Sequence, residues 1–166
     1  MTDVVNAATR SRMMAGIKGK DTKPEVLLRK ALHAQGLRYK LGGHGLPGKP
    51  DLVFPKHRTV VFVHGCFWHA HRCKYFRLPS THSDFWRNKL QGNITRDKTR
   101  IKELRALGWR SVVIWECAVR LATAQLSDEL YKLVRDWVVE YHTSHLEISK
   151  GRSNGFSKRR STDRAL

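Results

Sequence analysis

Apolar positions along the chain recur at helical spacing in some segments and form short continuous runs in others. The first helix is predicted to begin at Thr22, because Thr22 and Glu25 stand at a capping-box spacing and Pro24 is tolerated in a first turn. Gly36 is expected to end this helix. Its apolar face is formed by Val26, Leu27, Ala31 and Leu32.

Two further helices are predicted later in the chain. A helical region covers 84–107 and is expected to be interrupted near Gly92, with Ile94, Ile101 and Leu104 as candidates for its buried face. A last helix opens at Ser127 and carries apolar residues at regular helical spacing. Those residues, which indicate contacts with a core, are Leu130, Leu133, Val134, Trp137, Val138 and Tyr141.

Three short apolar runs predict β-strands. Residues 51–54 and 59–63 are separated by the sequence PKHR, which is typical of a β-hairpin. Every position of 60–63 is apolar, so this strand is expected at the centre of a sheet with both faces covered. A third strand is predicted over 109–115. The order of helix, hairpin, helix, strand and helix indicates an α/β domain, a small mixed sheet flanked by helices.

Composition divides the chain into three segments. Residues 1–23 are polar and basic around the apolar pair Met13 and Met14, and are expected to form a basic N-terminal arm. Residues 24–144 contain the predicted elements and form one domain. Residues 145–166 are rich in Ser, Lys, Arg and Gly, with too little apolar content to offset their ordering entropy, so a disordered basic tail is predicted.

The charge balance narrows the class of partner. The chain has 32 Lys and Arg against 14 Asp and Glu, a net charge of +18, and this charge is spread over several elements. Such a distribution favours nucleic acid over a lipid surface. No run reaches the roughly 18 apolar residues of a membrane span, and the first residues lack the apolar stretch of a secretory signal. A cytoplasmic protein without membrane contact is expected, associated with the nucleoid when it acts.

The cysteines indicate a metal site. In a reducing cytoplasm the three thiols of Cys66, Cys73 and Cys117 are better candidates for metal ligands or catalytic groups than for disulfides. Together with one histidine they fit a closed, structural zinc site of the Cys3His type. His71 is the preferred fourth ligand because one residue separates it from Cys73, although other histidines lie nearby. The alternative is a set of buried thiols beside an unrelated histidine.

A second group of residues is suited to hydrolysis. Asp51 opens the first hairpin strand and can hold a hard divalent cation against a phosphate. The next strand ends at His64 without the second acid and the lysine that many nuclease folds carry there, so a backbone carbonyl or water must complete the coordination. His64 and His69 can move protons near neutral pH, and Glu25 can assist. Taken singly, each has an ordinary structural explanation, such as a turn cap, a core histidine or a helix cap.

Candidate DNA contacts lie in the ligand-rich loop and in the helical region after it. Lys89 and Arg96 belong to a series of cations suited to a phosphate backbone, with Asn93 placed for a polar contact; a solvated helix face explains most of the charge equally well. Phe67 and Trp68 lie outside any alternating core pattern. They are candidates for insertion between base pairs, and the alternative is that they cover the zinc loop.

Several motifs, read together, resemble the very-short-patch repair (Vsr) endonucleases at unshifted spacing over about residues 7–120. The motifs are HGCFWH at 64–69, His71 and Cys73, WEC at 115–117, TRS at 9–11, DT at 21–22, LPG at 46–48, PD at 50–51, DFW at 84–86 and LGW at 107–109. Two positions depart from the family pattern. Val63 stands where some relatives carry a hydroxyl residue, and His71 is flanked by Ala70 and Arg72 where a histidine run can occur.

The resemblance implies a restriction-endonuclease-like core, related to the PD-(D/E)XK fold, in the 24–144 domain. It also implies a magnesium-dependent nick on the 5′ side of the thymine in T:G mismatches left by deamination of 5-methylcytosine. By the same resemblance Asp51 and the backbone carbonyl of Val63 bind magnesium, His69 is the general base, and His64 and Glu25 support it. The number of magnesium ions and the division of acid and base between the two histidines stay open.

The resemblance further implies that Cys66, His71, Cys73 and Cys117 hold zinc. Phe67 and Trp68 would enter the duplex beside the mismatch, with Met14 approaching from the arm. The implied partner is double-stranded DNA with a T:G mismatch, bound by a monomer, while partner proteins of a repair pathway cannot be read from the sequence. Two rival functions remain: a restriction-type endonuclease that cuts matched DNA, and a non-catalytic, zinc-stabilised DNA-binding protein.

Overall fold

The computed structural model describes residues 8–9, 12, 16, 19–43, 45–122, 127–140, 143–151 and 155–161. Within them lies a six-stranded sheet whose spatial order follows the chain. Its strands are β1 (Lys40–Leu41), β2 (Leu52–Phe54), β3 (Thr59–His64), β4 (Arg110–Trp115), β5 (His145–Lys150) and β6 (Phe156–Ser161). β3, β4 and β5 are parallel neighbours, and the outer pairs are antiparallel. The sheet is therefore mixed, as predicted.

Helices cover both faces of this sheet. They are α1 (Lys23–Ala34), α2 (Ser83–Ala106), α3 (Glu116–Leu121) and α4 (Ser127–Val139), with a 3₁₀ turn at Pro55–His57. α2 connects β3 to its parallel neighbour β4, while α3 and α4 connect β4 to β5. Among the described helices, none is long and apolar enough to cross a membrane.

Alternation along the strands separates two cores. On one face Val61 and Val112 pack with Leu28 and Leu32 of α1 and with residues of α3 and α4. On the opposite face Val60, Phe62 and Val113 pack against Leu104 of α2. The central position predicted for the 60–63 run is confirmed, because its alternate residues enter different cores between β2 and β4.

The start of α1 agrees with the sequence prediction, but the hydrogen bonds differ from a capping box. Thr22 is the N-cap, yet its side chain makes no cap hydrogen bond. The Thr22 hydroxyl instead donates to Glu25 Oε1 (2.7 Å), and the backbone N–H of Asp21 donates to Glu25 Oε2 (2.9 Å). The Glu25 side chain is therefore held at the helix start by the preceding residues. Gly36, at φ +86°, follows the helix as predicted.

The expected interruption of the second helix is wrong, since α2 runs continuously through Gly92. A glycine inside a helix costs only about 1 kcal/mol relative to alanine. Gly92 is exposed, so no packing contact of the long helix is lost there.

The prediction of a disordered tail from residue 145 is wrong for 145–150 and 156–161, which form β5 and β6. Leu146 and Ile148 are buried at 1% and 0% exposure in the core that α1, α3 and α4 cover. β4 offers a ready edge, with Ser111 paired to His145 and Ile114 to Ile148. The burial of two apolar side chains and pairing with an existing sheet edge therefore stabilise a segment whose composition alone predicted disorder.

Candidate active site and metal cluster

Asp51 lies directly before β2, and hairpin pairing brings it beside the end of β3. One of its carboxylate oxygens accepts a hydrogen bond of 2.7 Å from the backbone N–H of Val63. Burial raises the pKa of Asp51 from 3.8 to about 6, and the hydrogen bond from Val63 offsets only part of this effect. A carboxylate that is destabilised by burial gains from a nearby cation.

His64 and His69 form a stacked pair, although they come from a strand end and from the following loop. Their ring centroids lie 3.9 Å apart with an interplanar angle of 3°. His64 is 9% exposed, and burial, aided by the neighbouring His69, lowers the pKa of His64 to about 3. His69 Nδ1 lies 2.5 Å from Asp97 Oδ2. One histidine is therefore kept neutral while the other is paired with a carboxylate.

Glu25 is buried at 5% exposure. Besides the two hydrogen bonds at the start of α1, its Oε2 accepts a hydrogen bond of 3.0 Å from Arg29, which also pairs with Asp21. The negative charge of Glu25 is one cause of the raised pKa of Asp51. Glu25 therefore acts on the Asp51 carboxyl through its charge.

The predicted catalytic residues meet in one cavity of about 310 Å³. Its walls include Glu25, Asp51, Val63, His64 and His69. Lys49, Arg96, Asp97 and Arg100 complete the charged lining. Carboxylate, imidazole and guanidinium groups around one space suit the binding and hydrolysis of a phosphodiester. We call this space the Asp51 cavity.

A separate cluster brings Cys66, His71, Cys73 and Cys117 together, as the spacing predicted. Their ligand atoms all lie within 4.8 Å of one another, and Cys117 Sγ is 3.7 Å from His71 Nδ1. In a tetrahedral zinc site with bonds of about 2.0–2.3 Å, the ligand atoms are about 3.3–3.8 Å apart. The four residues therefore fit a zinc ion by donor type, and the separation of Cys117 Sγ and His71 Nδ1 falls within this range.

The surroundings of this cluster favour the thiolate form of one of its cysteines, Cys117. The hydrogen bond between Cys66 and Cys117 lowers the pKa of Cys117 and raises the pKa of Cys66. The backbone N–H of Lys150 donates to Cys117 Sγ at 3.3 Å, and His71 stacks on Trp115 at 4.2 Å. Cys117 lies in the first turn of α3, a short helix that the sequence analysis did not predict. The cluster thus joins the loop after β3 to α3 and to the end of β5.

Phe67 and Trp68 belong to an aromatic group on the loop between β3 and α2. Their centroids are 5.1 Å apart, and Phe67 also lies 5.4 Å from Trp86. Lys89 Nζ is above the rings of Trp68, Trp86 and Phe85. Phe85 is 58% exposed. The loop and the start of α2 together therefore present apolar area with a cation beside it.

The predicted DNA contacts on α2 support this aromatic loop. Asn93 Nδ2 donates to the carbonyl of Trp68 (2.8 Å), and Asn93 Oδ1 accepts from Arg96 (3.1 Å). Lys89 lies among the rings as described above. All three residues are therefore on the side of α2 that faces the loop, while Met14 lies outside the described residues.

Asp97 was not among the sequence candidates. In the sequence it stands among the cations of α2, where a charge on a solvated helix face is an ordinary explanation for an acid. The available signal was its position three residues after Ile94 and four before Ile101, on the face that packs toward the sheet. Phe85, exposed beside the predicted wedge, was also missed.

A basic α/β domain with such a cavity and a Cys/His cluster has the parts of a metal-using nuclease. The family model described as "DNA mismatch endonuclease Vsr" matches residues 2–75. The chain is 42% identical over 139 residues to the DNA mismatch endonuclease Vsr of Escherichia coli (strain K12), covering 83% of this chain and 88% of that protein. The chain belongs to the Vsr family of DNA mismatch endonucleases.

Two further relatives carry a different description. Type II nicking enzyme V.NmeAIP of Neisseria meningitidis is 43% identical over 136 residues, or 82% of this chain and 96% of that protein. Type II nicking enzyme V.XorIIP of Xanthomonas oryzae pv. oryzae is 44% identical over 117 residues, or 70% of this chain and 86% of that protein.

Proposed function

We propose that this chain is a magnesium-dependent endonuclease that nicks DNA on the 5′ side of the thymine in a T:G mismatch. Its family membership makes it a DNA endonuclease, and the proposal adds the metal, the mismatch and the position of the nick. The observation that carries the chemistry is the Asp51 cavity. Asp51, His64 and His69 line it together with Val63.

Asp51 and the backbone carbonyl of Val63 are the proposed magnesium ligands. Oxygen donors are what a hard divalent cation prefers, and the raised pKa of Asp51 means that a cation relieves an existing cost of burial. When bound, magnesium supplies positive charge beside the scissile phosphate and lowers the pKa of its own water. Glu25 increases the negative potential at Asp51.

His69 is the proposed general base. Asp97 occupies His69 Nδ1, so Nε2 is the ring nitrogen left to take a proton from the attacking water. The Asp97 carboxylate then stabilises the imidazolium that forms. The lowered pKa of His64 keeps that ring neutral near pH 7, so His64 serves as a neutral stacking partner of His69. This division favours His69 as the group that changes its protonation state.

The aromatic loop is the proposed mismatch reader. Phe67 and Trp68 lie between the cluster residues Cys66 and His71, and Asn93 donates to the Trp68 carbonyl. Unstacking a base step costs a few kcal/mol, and less where pairing is already imperfect, so an aromatic wedge favours a mismatched step. Lys89 and Arg96 are proposed to meet phosphates beside it.

The Cys/His cluster is proposed to hold one structural zinc ion. All four positions of a tetrahedral ion would be filled by Cys66, His71, Cys73 and Cys117, which leaves no open position for a reacting group. This arrangement explains why the cluster lies outside the Asp51 cavity. Its role is to hold the loop that carries Phe67, Trp68 and His69.

A second candidate is a nuclease that nicks matched DNA, which is favoured by the description of several relatives as Type II nicking enzymes. End-labelled duplexes that differ only at one T:G, T:A or C:G pair separate the two. We expect magnesium-dependent nicking of the T:G duplex alone, mapped to the 5′ side of the thymine. Equal cutting of the matched duplexes would refute the mismatch assignment while leaving the nuclease chemistry intact.

A further inference from the structure

The β5–β6 hairpin extends the sheet beyond the part on which α2 packs. α2 contacts β2, β3 and β4 through the core around Leu104. On the same face, β5 and β6 carry polar residues that stand opposite one another, with Glu147 paired to Arg159 and Ser149 paired to Ser157. These four residues line a cavity of about 550 Å³. Its other wall is formed by α2, and we call it the hairpin cleft.

The charges of the hairpin cleft favour an anion. Arg72, Lys98, Lys150 and Arg159 line it. The two acids in its lining are already partnered, since Asp97 pairs with His69 and Glu147 lies 3.5 Å from His145. Ile94, Ile101, Val113 and Trp115 form an apolar floor. Cations around an apolar floor suit a sugar–phosphate chain.

The hairpin cleft adjoins the Asp51 cavity. His64, His69, Asp97 and Ile101 line both spaces, so the two cavities are neighbours at the histidine pair. A DNA strand that places one phosphate between Asp51 and His69 must continue in both directions from it. The nucleotides on one side of that phosphate therefore need a surface beside the Asp51 cavity, and the cleft is the neighbouring space that shares its histidine wall.

We propose that the hairpin cleft binds the backbone of the cut strand next to the scissile phosphate, with Lys98 of α2 and Arg159 of β6 as phosphate contacts on opposite walls. The proposal rests on the proposed function, because it assumes that a strand is cut in the Asp51 cavity. It assigns a binding role to a hairpin whose composition had indicated only disorder.

Lys158 and Arg160 lie on the same strand as Arg159, but their charges have a different explanation from that of Arg159. They alternate with Arg159 and pair with Ile148 and Leu146, whose side chains enter the opposite core. Charges on an exposed edge strand prevent pairing with other chains. Lys158 and Arg160 therefore provide a matched control, with the same loss of charge on the same hairpin but away from the cleft.

The test compares K98Q/R159Q with K158Q/R160Q and the wild type. Affinity for a T:G duplex is measured by fluorescence anisotropy in magnesium-free buffer, over a range of about 50–200 mM salt. Each phosphate contact contributes about 0.9 to the log–log salt slope. We expect the slope of K98Q/R159Q to become less negative by about 1.8, and that of K158Q/R160Q to stay near wild type. Zinc content and circular dichroism verify the fold of each variant.

Two shortened duplexes, each ending at the scissile position on a different side, locate the contact. The difference between wild type and K98Q/R159Q should vanish with one of them and persist with the other. Equal slopes for the two double variants, or a difference that survives both truncations, would overturn the proposal. If the wild type does not nick the T:G duplex but the slope difference is observed, the result would count against the proposed reaction and not against the phosphate contact.

Discussion

Asp51→Asn should stabilise the magnesium-free protein at neutral pH while abolishing its nicking. The amide oxygen that this substitution introduces can still accept the hydrogen bond from the Val63 N–H, so the change removes mainly the charge. Burial raises the pKa of Asp51 from 3.8 to about 6, and at about 1.4 kcal/mol per pKa unit this difference corresponds to about 3 kcal/mol. The buried amide costs about 1 kcal/mol of its own, which leaves a gain of about 2 kcal/mol.

The sign of this effect follows from proton binding. The folded chain holds the Asp51 proton more tightly than the unfolded chain does, so the free energy of unfolding decreases as pH rises. The decrease begins near 3.8 and is complete above about 6. The advantage of Asp51→Asn should therefore be small at pH 4 and full at pH 7.5.

Urea unfolding of the zinc-replete, magnesium-free proteins at these two pH values provides the measurement. A gain of about 2 kcal/mol should also raise the melting temperature by about 4–8 °C in a protein of this size. Asp84→Asn is the matched control, because the Asp84 side chain is 88% exposed and its replacement should change stability by no more than about 0.5 kcal/mol. Added magnesium should stabilise the wild type and not Asp51→Asn. An Asp51→Asn protein that is less stable than wild type at pH 7.5 would refute the reasoning.

Three other changes test separate parts of the site. Asp97→Asn should slow nicking by about 10²-fold without changing duplex affinity, because His69 loses the carboxylate that stabilises its imidazolium; single-turnover rates and anisotropy measure the two effects, and an unchanged rate would remove Asp97 from the mechanism. Cys117→Ala should lower zinc content and melting temperature together; stoichiometric zinc with unchanged melting would reassign the fourth ligand. Trp68→Ala should reduce the preference for T:G over T:A duplexes by about tenfold, since stacking on a base contributes about 1–3 kcal/mol; equal losses of affinity for both duplexes would mean that Trp68 does not read the mismatch.

The central elements could be predicted because their signals are local. An unbroken apolar run identifies β3 as a central strand, and the short polar turn after 51–54 identifies the hairpin that carries Asp51 to Val63. The Cys/His cluster was accessible for a similar reason, since three of its ligands lie within eight residues of one loop. Only Cys117 had to be added from a distant segment, and it was the remaining cysteine.

The parts that escaped prediction depend on long-range packing. β5 is ordered because β4 offers an edge and a core already formed by other segments receives Ile148, neither of which is visible in the composition of residues 145–166. The pairing of Asp97 with His69 depends on the fold, which brings the loop carrying His69 against α2. The hairpin cleft combines both effects, since it exists only where α2 and the β5–β6 hairpin face each other.

The central claim is that Asp51 and the histidine pair form a single metal-dependent hydrolytic site. Its most direct test is single-turnover nicking of a T:G duplex by wild type and Asp51→Ala in nuclease-free preparations of verified zinc content. The account predicts nicking by the wild type only when magnesium is present, and no nicking by Asp51→Ala at any magnesium concentration, with both proteins binding the duplex. Magnesium-dependent nicking by Asp51→Ala at the wild-type rate would contradict it.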